Sequence, residues 1–254
     1  MTLNTKSPMN LRRQSIYLLP NLFTLGALFA GFYAIVQAMN NRFEHAAVAI
    51  FVAMILDGLD GRVARLTHTQ SEFGAQLDSL SDMVSFGVAP ALVAYEWMLK
   101  DYGKTGWIIA FVYCACAALR LARFNVNIGV VDKRWFQGLA SPAAAGIVAG
   151  LVWNVHEFAD EIEPLTHLLP LVAMAFTLFA GLSMVVNVRF WSFKEFNVRK
   201  TVPFYAMLIM VLVLIVLAAK PALALFLFFV GYGVSGYLYW LWQLLRRNKL
   251  QAPQ

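Results

Sequence analysis

Residues 57–82 read DGLDGRVARLTHTQSEFGAQLDSLSD. Asp57 and Asp60 lie near the end of one apolar run, and Asp78 and Asp82 open the next. A carboxylate at membrane depth is costly, so an ionisable residue there faces a polar interior and marks function. On a helix, Asp57 and Asp60 project roughly 60° apart, and Asp78 and Asp82 roughly 40° apart. The connection LTHTQSE is short, so the two helices are antiparallel neighbours whose aspartate pairs face each other at similar depth. Four converging carboxylates without cations would raise one another's pKa values strongly. A divalent metal is the simpler resolution, and all-oxygen ligation suits magnesium or manganese.

The residues between the aspartates suit a phosphate ligand. Gly58, Gly61, Ala64 and Gly74 keep the surface thin, so a bulky ligand can approach the backbone. Arg65 lies eight positions after Asp57, roughly 80° around the helix and close enough to the same face to reach an anion. Metal-holding carboxylates, a small-residue floor and an arginine together suit a diphosphate. The alternative is a satisfied ion-pair cluster with Arg62 and Arg65. Two arginines cannot balance four carboxylates, however, and the small residues would be left without a purpose.

Around this segment the 254-residue chain is 60% hydrophobic and only 13% charged, with a mean hydropathy of +0.65. That describes a single-domain polytopic membrane protein. The net charge of +6 is spread in short clusters between apolar runs, which excludes the basic stripe of a nucleic-acid binder. Cys114 and Cys116, two positions apart on a helix, point to nearly opposite sides and suit neither a disulfide nor a shared metal. The expected fold is an all-α bundle of about eight transmembrane helices near 20–39, 44–66, 74–98, 106–124, 138–157, 165–187, 201–219 and 221–245. Residues 1–19 form an N-terminal segment that is cytoplasmic or interfacial, 20–245 the membrane domain, and 246–254 a cytoplasmic tail. The first span is expected to remain uncleaved, because its apolar stretch is too long for a signal peptide.

With both termini cytoplasmic, sixteen lysines and arginines fall on the inner side, and only Arg42, Lys100, Lys104 and Lys220 on the outer. This is the positive-inside pattern. The acidic outer loop HEFADEIEP (156–164) agrees with it. The aspartates then lie toward the cytoplasm.

The segment resembles the CDP-alcohol phosphotransferase family, whose signature is D-x2-D-G-x2-A-R-x8-G-x3-D-x3-D. Asp57, Asp60, Gly61, Ala64, Arg65, Gly74, Asp78 and Asp82 fill every fixed position. The resemblance implies a CDP-linked donor bound with Mg2+ or Mn2+. Asp57, Asp60 and Asp78 are then metal ligands. Asp82 is the general base, sometimes also near a second metal. Gly61, Ala64 and Arg65 contact the nucleotide, with Gly74 beside them in the donor site. Further stretches, PNLFTLGALFAG (20–31), RLARFN (120–125), GLASPAAAG (138–146) and SMVVNVRFWSFK (183–194), are similar to bacterial phosphatidylserine synthases of the membrane type. That likeness implies CDP-diacylglycerol as donor, L-serine as acceptor, a homodimer, and a place among the lipids of the bacterial inner membrane with the site facing the cytoplasm.

Acceptor or phosphate contacts are expected among Arg120, Arg123, Asn125, Asn187 and Arg189. The bland counterparts are positive-inside anchoring for the arginines, a helix end at Asn125 and lipid headgroup contact for Asn187 and Arg189. Ser141 and Pro142 are expected to start the fifth span as cap and first-turn proline. His68 is expected to be solvated, and Trp135, Trp191 and Trp240 to sit at the membrane interface. Glycerol 3-phosphate, an inositol phosphate or choline could be the acceptor in the same chemistry. A cation transporter is the reading from another class, but it calls for acids spread along a path and two related halves. Here the acids cluster at one depth.

Overall fold

The computed structural model of the protein describes residues 11–67, 69–126, 135–191 and 204–250. His68, Asn127 and the basic residues Lys6, Lys133, Arg134, Lys194, Arg199 and Lys200 lie outside these. Helices α1 (Leu11–Met39) and α2 (Phe43–Leu66) form a hairpin, and α3 (Glu72–Asp82) follows. The chain then continues through a π-helical turn (Met83–Val88), α4 (Ala89–Ala94), a second π-helical turn (Tyr95–Leu99) and a 3-10 turn (Lys100–Tyr102) into α5 (Gly103–Val126). After the strand β1 (Trp135–Gln137) come α6 (Ser141–Glu157), the short α7 (Ala159–Ile162), a 3-10 turn (Glu163–Leu168) and α8 (Leu169–Val185). The strand β2 (Arg189–Trp191), α9 (Phe204–Ala219) and α10 (Pro221–Leu250) complete the order.

Long helices occupy each of the segments expected from hydropathy. Among the described residues, four helical stretches are long and apolar enough to cross a membrane: Leu19–Met39, Glu72–Val126, Thr166–Val185 and Pro221–Arg246. The second, 55 residues long, doubles back at Gly103, whose φ of +52° is a backbone conformation that suits glycine. Helix α1 begins at Leu11 and runs unbroken through Pro20 into the first apolar stretch.

Packing follows the logic of a lipid solvent, in which small residues line the seams and large ones face outward. Ala27, Ala30, Ala34 and Ala38 of α1 are buried, as are Ala46, Ala47, Ala49 and Ala53 of α2, while Phe29 and Phe32 are exposed. Helix α6 is buried on nearly every face from Ala143 to Val152 and stands at the centre of the bundle. It begins one residue earlier than a Ser141 cap requires. Ala140 is the N-cap, without a side-chain bond, and Ser141 and Pro142 open the first turn.

One feature departs from an all-α expectation. β1 and β2 pair antiparallel, Trp135 opposite Trp191, Phe136 opposite Phe190 and Gln137 opposite Arg189. The ribbon ties the approach to α6 to the segment leaving α8.

Beyond Asp82 the helix widens into the first π-helical turn. Pro90 lacks the N–H that would reach the Phe86 carbonyl one turn back. The fully buried Tyr113 of α5 takes its place, donating from its hydroxyl to the Phe86 oxygen at 3.0 Å. Tyr113→Phe is expected to cost about 1–3 kcal/mol by stranding that carbonyl. The check is the thermal melt of the detergent-purified protein, which should fall without loss of helix content.

Candidate active site

Ser71 builds the start of α3, its hydroxyl accepting the Gly74 N–H at 3.0 Å. This cap sets the phase of the helix that presents Asp78 and, one turn on, Asp82. Helix α2 runs antiparallel and presents Asp60 and, one turn earlier, Asp57. One carboxylate oxygen from each of Asp57, Asp60 and Asp78 lies within 4.8 Å of the others. Three of the four aspartates thus gather at one point, and Asp82 lies against Asp57. Asp60 and Asp78 sit at the level nearer the α2–α3 connection, and Asp57 and Asp82 one turn further from it.

No basic side chain among the described residues pairs with this group. Among the described residues the ion pair within 4.0 Å is Lys100–Glu96 at 2.8 Å, at the opposite end of the helix that carries Asp78 and Asp82. Arg62 and Arg65 are exposed, and the Arg65 Nε donates to its own helix at the Gly61 carbonyl, 2.9 Å away. The ion-pair alternative therefore finds no support. Asp60 does receive one bond, from the Thr24 hydroxyl of α1 at 2.6 Å. By contrast, Oδ1 of Asp78 and Oδ1 of Asp82 are buried and accept no hydrogen bond. Buried polar atoms are ordinarily satisfied, so each such exception calls for a cause. An all-oxygen carboxylate set with two unpartnered buried oxygens fits a hard divalent cation.

Beside the aspartates a cleft of about 350 Å³ opens between α1, the end of α2 and the start of α3. Asp60 and Asp78 lie at its inner wall, with Gly61, Ala64, Gly74 and Asn21 around it. A Cβ added at Gly61 would meet nothing within 4 Å, whereas one at Gly74 would press on the Ser71 hydroxyl at 3.1 Å. Gly61 therefore answers no packing need of the protein itself, while Gly74 also serves the α3 cap. Gly58 is not among the residues of the cleft, so the small-residue floor is narrower than the sequence reading drew it.

The candidates further along the chain separate. Arg123 is held by four oxygens. Nη1 donates to Asn187 Oδ1 at 2.9 Å and the Val185 carbonyl at 3.3 Å, and Nη2 to the Gln137 and Met184 carbonyls at 2.9 and 3.3 Å. It closes the C-terminal end of α8 against β1, and Asn187 is its partner there. Asn125 donates to the Ser79 hydroxyl at 2.8 Å, tying α5 to the aspartate helix. Arg120 is 8% exposed, and its bonds among the described residues run from Nη1 to the Gly138 carbonyl at 3.2 Å and the Gln137 carbonyl at 3.5 Å. Asp82 is the carboxylate whose charge it feels. Arg189 contributes its backbone to the ribbon; its side chain lies outside the described part of the structure. Cys114 and Cys116 are both free.

Two participants escaped the sequence reading. Thr24 is one, concealed in an ordinary apolar helix. Gly138 is the other. Its φ is +80°, and a Cβ there would sit 2.2 Å from the Met184 carbonyl oxygen and 3.1 Å from Arg123 Nη2. The Gly-Leu-Ala-Ser-Pro run before α6 was the available signal for a special backbone at this point.

A family model described as CDP-alcohol phosphatidyltransferase matches residues 17–179, a span that contains the cleft and all four aspartates. The chain belongs to the CDP-alcohol phosphatidyltransferase family. A Helicobacter pylori protein named CDP-diacylglycerol–serine O-phosphatidyltransferase is 36% identical over 234 residues, covering 91% of this chain and 94% of its own. Proteins of the same name from Mycobacterium tuberculosis and Saccharomyces cerevisiae are 39% and 37% identical over 158 and 143 residues. These two matches cover 60% and 51% of this chain and 55% and 51% of theirs. In this member of the CDP-alcohol phosphatidyltransferase family, the arginine clamp behind the aspartates depends on the Gly138 backbone. Gly138→Ala is expected to lose ~2–4 kcal/mol through a strained φ and overpacking. Gly231→Ala, where an added Cβ meets nothing within 4 Å, should stay close to wild type in the same thermal-melt comparison.

Proposed function

We propose that the protein transfers the phosphatidyl group from CDP-diacylglycerol to the hydroxyl of L-serine, giving phosphatidylserine and CMP. The observation that carries the chemistry is a cluster of Asp57, Asp60 and Asp78, with Asp82 against Asp57, that has no basic partner among the described residues and in which Asp78 and Asp82 each present an unsatisfied buried oxygen. The serine acceptor is supported by the near end-to-end likeness to the Helicobacter pylori protein that carries serine in its name.

Asp57, Asp60 and Asp78 would hold the divalent metal, Mg2+ or Mn2+, with Asp82 beside a second metal where one binds; the metal when bound offsets the diphosphate charge and eases departure of the leaving phosphate. Gly61, Ala64, Gly74 and Arg65 receive the nucleotide diphosphate at the cleft. Asp82 takes the proton of the acceptor hydroxyl. The hydroxyl oxygen bonds to the phosphorus that carries the lipid, the bond to the CMP oxygen breaks, and the proton remains with Asp82. Arg120 keeps donors beyond its Gly138 contact and lies on the Asp82 side of the site, where it suits the serine carboxylate. Arg123 and Asn187 instead shape the wall behind it.

We read the bundle as eight membrane-crossing helices with both termini and the α2–α3 connection on the cytoplasmic side, on the strength of the sixteen-to-four distribution of basic residues. Residues 20–245 are then one membrane domain in the bacterial inner membrane. The family resemblance adds a homodimer.

The deciding experiment supplies purified protein with CDP-diacylglycerol, Mg2+ or Mn2+, and a panel of alcohols. CMP release should require serine; release with glycerol 3-phosphate, an inositol phosphate or choline instead would reassign the acceptor, and no release with any of them would sink the reading. Asp82→Asn should lower kcat at least about 100-fold while Mn2+ and donor still bind. Gly61→Ala separates ligand space from protein packing. Its thermal stability should hold or rise by roughly 0.5–1 kcal/mol from helix propensity, while the donor KM increases; an unchanged KM would remove Gly61 from the donor site.

A further inference from the structure

Thr24 of α1 is 4% exposed and Asp60 of α2 is 6% exposed, and both lie at the inner side of the cleft. The threonine hydroxyl has one proton and two acceptors within reach, Asp60 Oδ2 at 2.6 Å and the Pro20 carbonyl at 3.2 Å. The shorter contact has the length of a charge-assisted O–H···O⁻ bond, so the hydroxyl of Thr24 donates to Asp60. The backbone carbonyl of the same residue accepts the Ser81 hydroxyl of α3 at 3.0 Å. Ser81 lies between Asp78 and Asp82 on the opposing helix. Thr24 therefore touches both aspartate-bearing helices, α2 through its side chain and α3 through its main chain.

We propose that Thr24 is a positioning residue for the metal site: its hydroxyl commits one oxygen of Asp60 and thereby leaves the other oriented for the cation. The proposal rests on the metal reading above. Partners that orient a ligating carboxylate from outside the coordination shell set its geometry and its basicity, and losing one weakens metal affinity by about 10–100-fold. The role is distinct from packing, because valine matches threonine in shape and branching while removing the donor.

The test is Mn2+ binding to purified full-length protein in detergent, read from the electron paramagnetic resonance signal of free Mn2+. Thr24→Val should bind Mn2+ roughly 10–100-fold more weakly than wild type, and Thr24→Ser, which restores the hydroxyl, within about threefold of it. Ser81→Ala loosens the same α1–α3 contact without touching Asp60 and should likewise stay within about threefold. Wild-type affinity in Thr24→Val overturns the proposal, as does an equal loss in Thr24→Ser. An equal loss in Ser81→Ala would assign the effect to helix packing. Should Thr24→Val fail to fold, Thr24→Ala takes its place, and failure of both marks Thr24 as structural and overturns the proposal. Absence of Mn2+ binding by the wild-type protein would instead overturn the metal reading on which it rests.

Discussion

Negative charge without a counter-charge is the constraint around which this bundle is arranged. Bringing a carboxylate out of water costs several kcal/mol per ion unless a partner repays it. Here three carboxylates share a 4.8 Å neighbourhood, and the protein supplies one hydroxyl to one of them. The nearby arginines are spent elsewhere, Arg65 on the Gly61 carbonyl and Arg123 on the end of α8. On the proposed reading, a cation and an anionic ligand would offset this charge, and the cost of gathering the carboxylates would be returned when they bind.

The small-residue seams serve the same end. Alanines between α1 and α2 let the two backbones approach closely, which brings Thr24 within 2.6 Å of Asp60. Gly31 meets Ser85 so tightly that an added Cβ would lie 2.6 Å from the serine hydroxyl. That contact, with the Ser81 and Ser85 hydroxyls donating to α1 carbonyls at 3.0 Å, fixes the aspartate helix against α1. In a lipid solvent, where apolar surface gives little drive for helix association, such close contacts and interhelical hydrogen bonds set the relative depth of helices. The depth of Asp78 and Asp82 relative to Asp60 is thus set with the help of residues outside the carboxylate cluster.

What could be read from the sequence was local. The spacing of Asp57 to Asp60 and Asp78 to Asp82, the short connection between them and the Ser71–Gly74 start of α3 all lie within 26 residues, and helix periodicity alone makes them converge. The helix positions were legible for the same reason, since hydropathy is a property of contiguous residues. The parts that stayed hidden depend on distant pairings. Thr24 meets Asp60 across 36 positions and Arg123 meets Asn187 across 64. The three-residue ribbon joins Trp135 to Trp191 with no strand-like alternation to announce it. Arg120 and Arg123 looked equivalent as neighbouring basic residues at a helix end. Only the carbonyls gathered from β1 and α8 separate them.

That separation bears on how one fold serves different alcohols. The carboxylates lie on α2 and α3, with their spacing imposed by helix geometry, and the cleft opens between these helices and α1. The arginine region is assembled from three separate stretches, the end of α5, the Gly138 turn and the end of α8. Its shape can change with those connections without moving an aspartate. Arg123 holds the frame, whereas the bonds described for Arg120 come from a single guanidinium nitrogen. On this reading the acceptor is chosen where the base acts, one helical turn beyond the level at which the donor is held. A change of acceptor then requires a change in the wall around Arg120 and leaves the donor chemistry intact.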